Sequence, residues 1–335
     1  MLTRPLRLVK NASTRSRAYP ASELGAAHAV LGALRSTLRE PSWPALAAAS
    51  YAVVSCTVGA AIALSRPEIF LRMNAFWLLL WAVTTAVTLT SVGQWYVHRR
   101  FSEVNFVRHN EVGGFIIAVV GALYGVLLAF MTVAAWQHFA GSAQLVAEES
   151  SAAADAWHTS VGLPAPTRSR VRHDMLLYAN AMVTREWPEM LSRGYDKESD
   201  LIVMDAIGAA GGFNPKQLKE ANAQTATLAQ LSALHDDRYR RISDNRSGIL
   251  PFEWLVLFLG AVCIIAFCWL FGVENKTVHL MMTSTVTIIV TATLVLLFEL
   301  QYPFQSALHI PPDDWTGVVN HIQFMQSGSQ AEMRM

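Results

Sequence analysis

Residues 112–137, VGGFIIAVVGALYGVLLAFMTVAAWQ, contain no charged side chain. The run exceeds the roughly 20 apolar residues that a helix needs to cross the hydrocarbon core of a bilayer. Its small residues are ordered: Gly121, Gly125 and Ala129 recur at intervals of four, as do Gly114, Ala118 and Ala122. In lipid, ridges of this kind let neighbouring helices approach closely, because small side chains replace the hydrophobic drive that water supplies. Glu111 stands at the entry of the run, and Trp136 and His138 mark its exit. The pattern predicts a central membrane helix with other helices packed on two sides.

Composition fits that solvent. Hydrophobic residues make up 53% of the chain, charged residues 15%, and the net charge is +1; a soluble domain carries about a quarter charged residues. The near-neutral balance offers no footprint for nucleic acid, so none is expected as a partner. Cys56, Cys263 and Cys268 all fall inside apolar runs. They read as small fillers, since a disulfide framework would place them in loops.

In chain order, residues 1–44 form a basic tail with Arg4, Arg7, Lys10, Arg15 and Arg17 and no acid before residue 20. Such a start suits a cytoplasmic tail facing anionic lipid. Leu24, Ala27, Leu31, Leu34 and Leu38 share one helical face, with Pro41 as a stop. A surface helix on the membrane and an ordinary amphipathic helix docked on protein both fit. Residues 45–64 are a first, Ala-rich span and 75–92 a second, closed by Trp95, Tyr96, Arg99 and Arg100. Thr84, Thr88 and Ser91 share one face of the second span, where hydroxyls bond back to their own helix or line a water path.

The composition then turns polar. Residues 140–248 read as helices: Val171, Met175, Tyr178 and Met182 form one stripe up to Trp187-Pro188, and Gly211-Gly212 separates a second unit. From Pro215 a long helix carries Leu218, Ala221, Leu228, Leu231 and Leu234. Stripes of this sort bury against each other, so a helical domain outside the lipid is expected. Residues 252–273 and 280–300 are a fourth and a fifth span, and 303–335 a flexible C-terminal tail. The expected fold class is therefore all-α: a polytopic membrane helix bundle of about five spans. Its domains are the tail 1–44, membrane helices in 45–139, the extramembrane helical domain 140–248, membrane helices in 249–302, and the tail 303–335. Short-loop Lys and Arg favour a cytoplasmic N-terminus and an external helical domain.

No HExxH, GxSxG, P-loop or dinucleotide fingerprint is present, and the histidines show no ligand spacing. The expectation is no enzyme, no cofactor and no metal. What remains is polar chemistry at membrane depth, where a charge faces protein or water. Glu111 and Glu253 lie near helix N-termini, where the dipole favours an anion, so an interfacial cap is one account of them. Glu299 precedes a helix C-terminus, where the dipole disfavours it. It is the strongest candidate pore residue, with Thr283, Thr287 and Thr291 on the same helix and Thr84 and Thr88 on the second span.

The series Asn110-Glu111-Val112-x-Gly114-Phe115, then Leu123-Tyr124-Gly125-Val126-Leu127-Leu128-Ala129-Phe130 and Trp136, resembles a bacterial membrane family of unknown function known as bestrophin-like. Leu163-Pro164, Glu186-Trp187-Pro188, Trp269-x-Phe271-Gly272, His279-Leu280 and Tyr302-Pro303-Phe304 extend the likeness over roughly residues 75–310. That family usually shows four spans, so the apolar run within residues 1–65 is a departure. The resemblance implies kinship with pentameric anion channels and a place in the bacterial inner membrane. Two readings follow. In one, a homo-oligomer in the bilayer conducts an inorganic ion; in the other, a non-conducting anchor or sensor binds a partner through its helical domain.

Overall fold

The computed structural model describes residues 73–101 and 106–332, together with Ala48, Ser50, Tyr51, Val54 and Ser55. The tail 1–44 lies outside the described residues, as does nearly all of the first expected span. The described elements are α1 (Ala75–Arg100), α2 (Asn110–Thr159), α3 (Ala165–Ala181), α4 (Trp187–Met190), α5 (Lys197–Gly211), α6 (Leu218–Asp244), α7 (Pro251–Cys268), α8 (Lys276–Leu300) and α9 (Asp313–Glu332). No strand occurs among the described residues. Four described helices are long and apolar enough to cross a membrane: α1, the helix running through α2, α7 and α8.

Local chemistry sets their ends. Asn74 caps α1 by accepting from Phe76 N at 2.9 Å, and His98, Arg99 and Arg100 sit in its last turn against the negative end of the dipole. Asn275 caps α8 in the same way, accepting from Thr277 N at 2.9 Å. Pro251 opens α7, where a missing N–H costs nothing. In the membrane half α8 packs along α1, while α2 meets α7 and α8 around Tyr124, Leu128, Leu257, Ala261, Leu294 and Leu297. Gly260 is essential to that seam. A Cβ there would lie 2.4 Å from the Tyr124 ring, and its absence lets the Tyr124 hydroxyl donate to Leu257 O at 2.9 Å.

The expected boundary at residue 139 falls in mid-helix. α2 runs unbroken for 50 residues, about 75 Å at 1.5 Å per residue. Its C-terminal half leaves the apolar section and becomes the central post of the helical domain. There α6 packs antiparallel to it, α3 and α5 lie beside the pair, and α9 closes the bundle. Between α3 and α4, residues Met182–Glu186 form a π-helical turn. Pro188 has no N–H to return to the carbonyl four residues back, and the coil widens at that step.

One expectation is corrected here. Residues 303–335 are not a flexible tail as far as Glu332. The segment after α8 folds back, with Ile310 N donating to Pro303 O at 2.8 Å, and leads into α9. Trp315, Val318 and Ile322 of α9 are buried in the domain core. Their spacing of three and four is a helical stripe, and Asp313 and Asp314 suit its first turn.

Candidate functional site

The structure separates the membrane carboxylates. Glu111 is exposed in the first turn of α2. Glu253 accepts from Leu250 N at 3.1 Å and caps its own helix. Glu299 is 2% exposed, enclosed beneath the segment that follows α8. Its Oε2 accepts from Leu308 N at 3.4 Å, and its Oε1 has no hydrogen-bond partner.

The hydroxyls also have local uses. Thr84 donates to Leu80 O at 2.8 Å and Thr88 to Thr84 O at 2.6 Å, back-bonds of the expected kind. Thr283 donates to His279 O and Thr287 to Thr283 O, both within α8. Both residues are buried, and the Thr287 hydroxyl also hydrogen-bonds that of Thr90 across the α1–α8 seam at 3.2 Å. Thr291 is partly buried. Within one chain, then, Thr287 links two helices, while Thr283 bonds back to its own.

The small-residue ridge lies elsewhere. No described atom comes within 4 Å of a Cβ placed at Gly114, Gly121 or Gly125, and Ala129 is exposed. Phe115, Leu123 and Phe130 beside them are about 70% exposed (74%, 69% and 71%). The expectation of helices on two sides is therefore met on one side only by the described residues. α7 and α8 cover the Tyr124–Leu128 face, and no described residue covers the glycine face.

Two polar assemblies were not anticipated. The first is a charge cluster inside the helical domain. Arg241 Nε donates to Glu149 Oε2 at 2.5 Å and its Nη2 to Glu149 Oε1 at 3.0 Å. Arg238 pairs with Glu186 at 3.1 Å, and Arg241 reaches the same carboxylate at 3.3 Å. All four side chains are buried. Burial works against the Arg241 charge, but Glu149 and Glu186 more than offset it and hold its pKa above the ordinary value. Burial, and Glu149 beside it, push the Tyr178 hydroxyl well above its usual pKa. It therefore stays protonated and donates to Glu149 at 2.6 Å. Two anions and two cations cancel, and the carboxylates are engaged, so the arrangement locks the bundle and leaves no group for chemistry. A sequence signal existed: Arg238 and Arg241 continue the register of buried Leu231 and Leu234, and Glu149 that of Val146, Ala153 and Ala156. A charge in step with a buried stripe calls for a buried partner.

The second assembly is at the opposite end of the membrane helices. Asn110 clamps the backbone of Gly272, donating to its carbonyl at 2.6 Å and accepting from its N–H at 3.0 Å. Any Cβ at Gly272 would meet Val107 N at 2.3 Å. This ties the start of α2 to the end of α7. Beside it opens a cavity of about 640 Å³ between the end of α1, the turn before α2 and the start of α8. Ser91, Gln94, His98, Arg99, Lys276 and His279 are among its lining residues. Among the described residues no His, Cys, Asp and Glu grouping could hold a metal ion.

The motifs noted in the sequence meet in this geometry. Asn110 finds Gly272 across 162 positions, Tyr124 crosses to α7, and His279 bonds Cys268 O at 3.0 Å. Glu186 enters the charge cluster, while Trp187 donates to Ile310 O at 3.0 Å and stands edge-on to Phe304. Comparison with curated proteins and with solved structures finds no match. A family model described as a bestrophin-like domain matches residues 84–314, which takes in all of these contacts and most of the chain. The chain belongs to the bestrophin-like family and is an integral membrane protein built as an all-α bundle.

Proposed function

We propose that the protein is a homo-oligomeric ion channel of the bacterial inner membrane, passing an inorganic anion and catalysing no reaction. The observation that carries this reading is the open face of α2. A long apolar helix covered on one side by its own chain, with Gly121 and Gly125 facing no described neighbour, is completed when copies pack around it. Since Thr283 and Thr287 are engaged with their own helices, the path runs along apolar side chains of α2. A constriction of that kind gates by dewetting. Arg99, Arg100 and Lys276 gather at one mouth and favour anions there. Arg238 and Arg241 are neutralised by buried glutamates, so they drop out of any loop-charge comparison. The remaining basic loops support a cytoplasmic position for that mouth and for the N-terminus.

Purified protein in planar bilayers should give unitary currents reversing near the chloride equilibrium potential. Its particle mass should be a multiple of the 36.9 kDa chain. The double variant Gly121→Leu/Gly125→Leu should lose both the assembly and the current. A monomer that stays silent under chloride, potassium and proton gradients would sink the reading.

A further inference from the structure

The cavity at the basic mouth has features that ion passage along α2 does not use. We propose that it binds a phosphate group carrying a hydroxylated substituent, as in a glycerophosphate headgroup. Among the described residues its lining includes Lys276, His98, His279, Gln94 and Ser91 and no carboxylate. Lys276 is exposed at the rim, and His279 is buried with its Nε2 committed to Cys268 O, which leaves Nδ1 as its second polar atom. The rings of His98 and His279 stand 5.1 Å apart, so two imidazoles and an ammonium converge on one volume.

A second observation points to a ligand. Gln94 is 6% exposed and its Oε1 is buried without a hydrogen-bond partner. His98 Nε2 is buried and unpartnered in the same way. Buried polar atoms in native proteins are satisfied; both atoms are closed off from solvent here, so a small turn of each side chain would present it to a ligand in the cavity. A phosphate oxygen accepts from Lys276, while hydroxyls of the substituent donate to Gln94 Oε1 and to His98 Nε2. The remaining wall is Trp95, Phe101, Phe106 and Leu280, an apolar surface at the level of the α1 and α8 ends. Acyl chains attached to the phosphate would lie along it. Arg99 stacks on Trp95 at 5.0 Å and adds positive potential. Glu111 and Glu274, exposed acids described on this face, are not among the cavity's lining residues.

The test uses the full chain in detergent and needs no current. Native mass spectrometry and titration would measure binding of phosphatidylglycerol, phosphatidylcholine, glycerol phosphate and inorganic phosphate. Phosphatidylglycerol should bind in preference to phosphatidylcholine. Lys276→Glu should weaken that binding at least about tenfold, the scale of one charge-assisted hydrogen bond. Gln94→Leu should narrow the preference for phosphatidylglycerol. Arg108→Glu, an exposed charge on the same face that is not among the lining residues, should leave binding unchanged. If the soluble phosphates bind and Lys276→Glu abolishes it while lipids show no preference, the site holds with a free anion as its occupant. Equal binding by wild type and Lys276→Glu, or equal losses from Lys276→Glu and Arg108→Glu, overturns it.

Discussion

The two halves of α2 pass through different solvents, and the chain treats polarity differently along them. In the membrane half, hydroxyls return to their own helix, as Thr132 does on α2 and Thr84, Thr88 and Thr283 do on the helices beside it. In the helical domain the same helix buries a full charge, Glu149, against Arg241. The contrast follows from what each solvent allows. Helices in lipid are stitched by small contacts and single hydrogen bonds, because no hydrophobic gain drives them together. A bundle in water buries enough apolar surface to carry an ion-pair cluster at its centre, provided every charge is matched. The domain is therefore specified by charge pairing, and the membrane half by close approach.

Breaking the domain's side of this contrast should give the largest effect. Arg241→Met leaves Glu149 buried and short of its cation, which should cost about 3–5 kcal/mol. Thermal unfolding followed by circular dichroism would read it, and a loss below about 1 kcal/mol would mean that the cluster does not lock the bundle. The membrane side should break at its tightest approach. Gly272→Ala forces a methyl group against Val107 N, a backbone atom that cannot step aside, and should cost about 1–3 kcal/mol. Gly121→Ala, with open space around it, should leave the monomer's stability unchanged within about 0.5 kcal/mol. Equal effects at the two glycines would erase the distinction between packed and open faces.

Smaller effects sharpen the same comparison. Thr287→Val removes the hydrogen bond to Thr90 and should cost about 0.6 kcal/mol, while Thr84→Val, which loses only a back-bond, should be near neutral. The smallest effect should appear on the acid side of the domain. Burial raises the Asp244 pKa, but hydrogen bonds from His138 and Ser142 overcome it and hold the carboxylate below its ordinary value. A depressed folded-state pKa contributes stability above the unfolded value of about 3.9, and that contribution fades as pH falls through the folded one. Asp244→Asn should flatten the acid limb of stability in that window; an unchanged limb would show the pair to be idle.

Much of the architecture is legible residue by residue. The Val171–Met175–Tyr178–Met182 stripe is wholly buried, and the Gly211-Gly212 step ends α5. The capping of α7 by Glu253 and the back-bonds of Thr84 and Thr88 also follow from local rules. The functional side chains were harder to place. Glu299 and the α8 threonines look like pore groups because periodicity gives a face but not what covers it. Here Thr287 meets Thr90 of α1, Thr283 is buried, and the segment after α8 covers Glu299. The Trp315–Val318–Ile322 stripe of α9 is short and set in a polar segment, so its burial is visible only once the domain core is in place.

Composition and period alone determined that this protein lives in lipid and is helical, since crossing a bilayer is a local demand on about 20 consecutive residues. Partnerships were decided only by the tertiary structure. Asn110 meets Gly272 across 162 positions and Glu149 meets Arg241 across 92, and helix packing alone sets such distances. The same packing leaves the Gly121–Gly125 face clear of the other described residues and gathers Gln94, His98, Lys276 and His279 around one cavity.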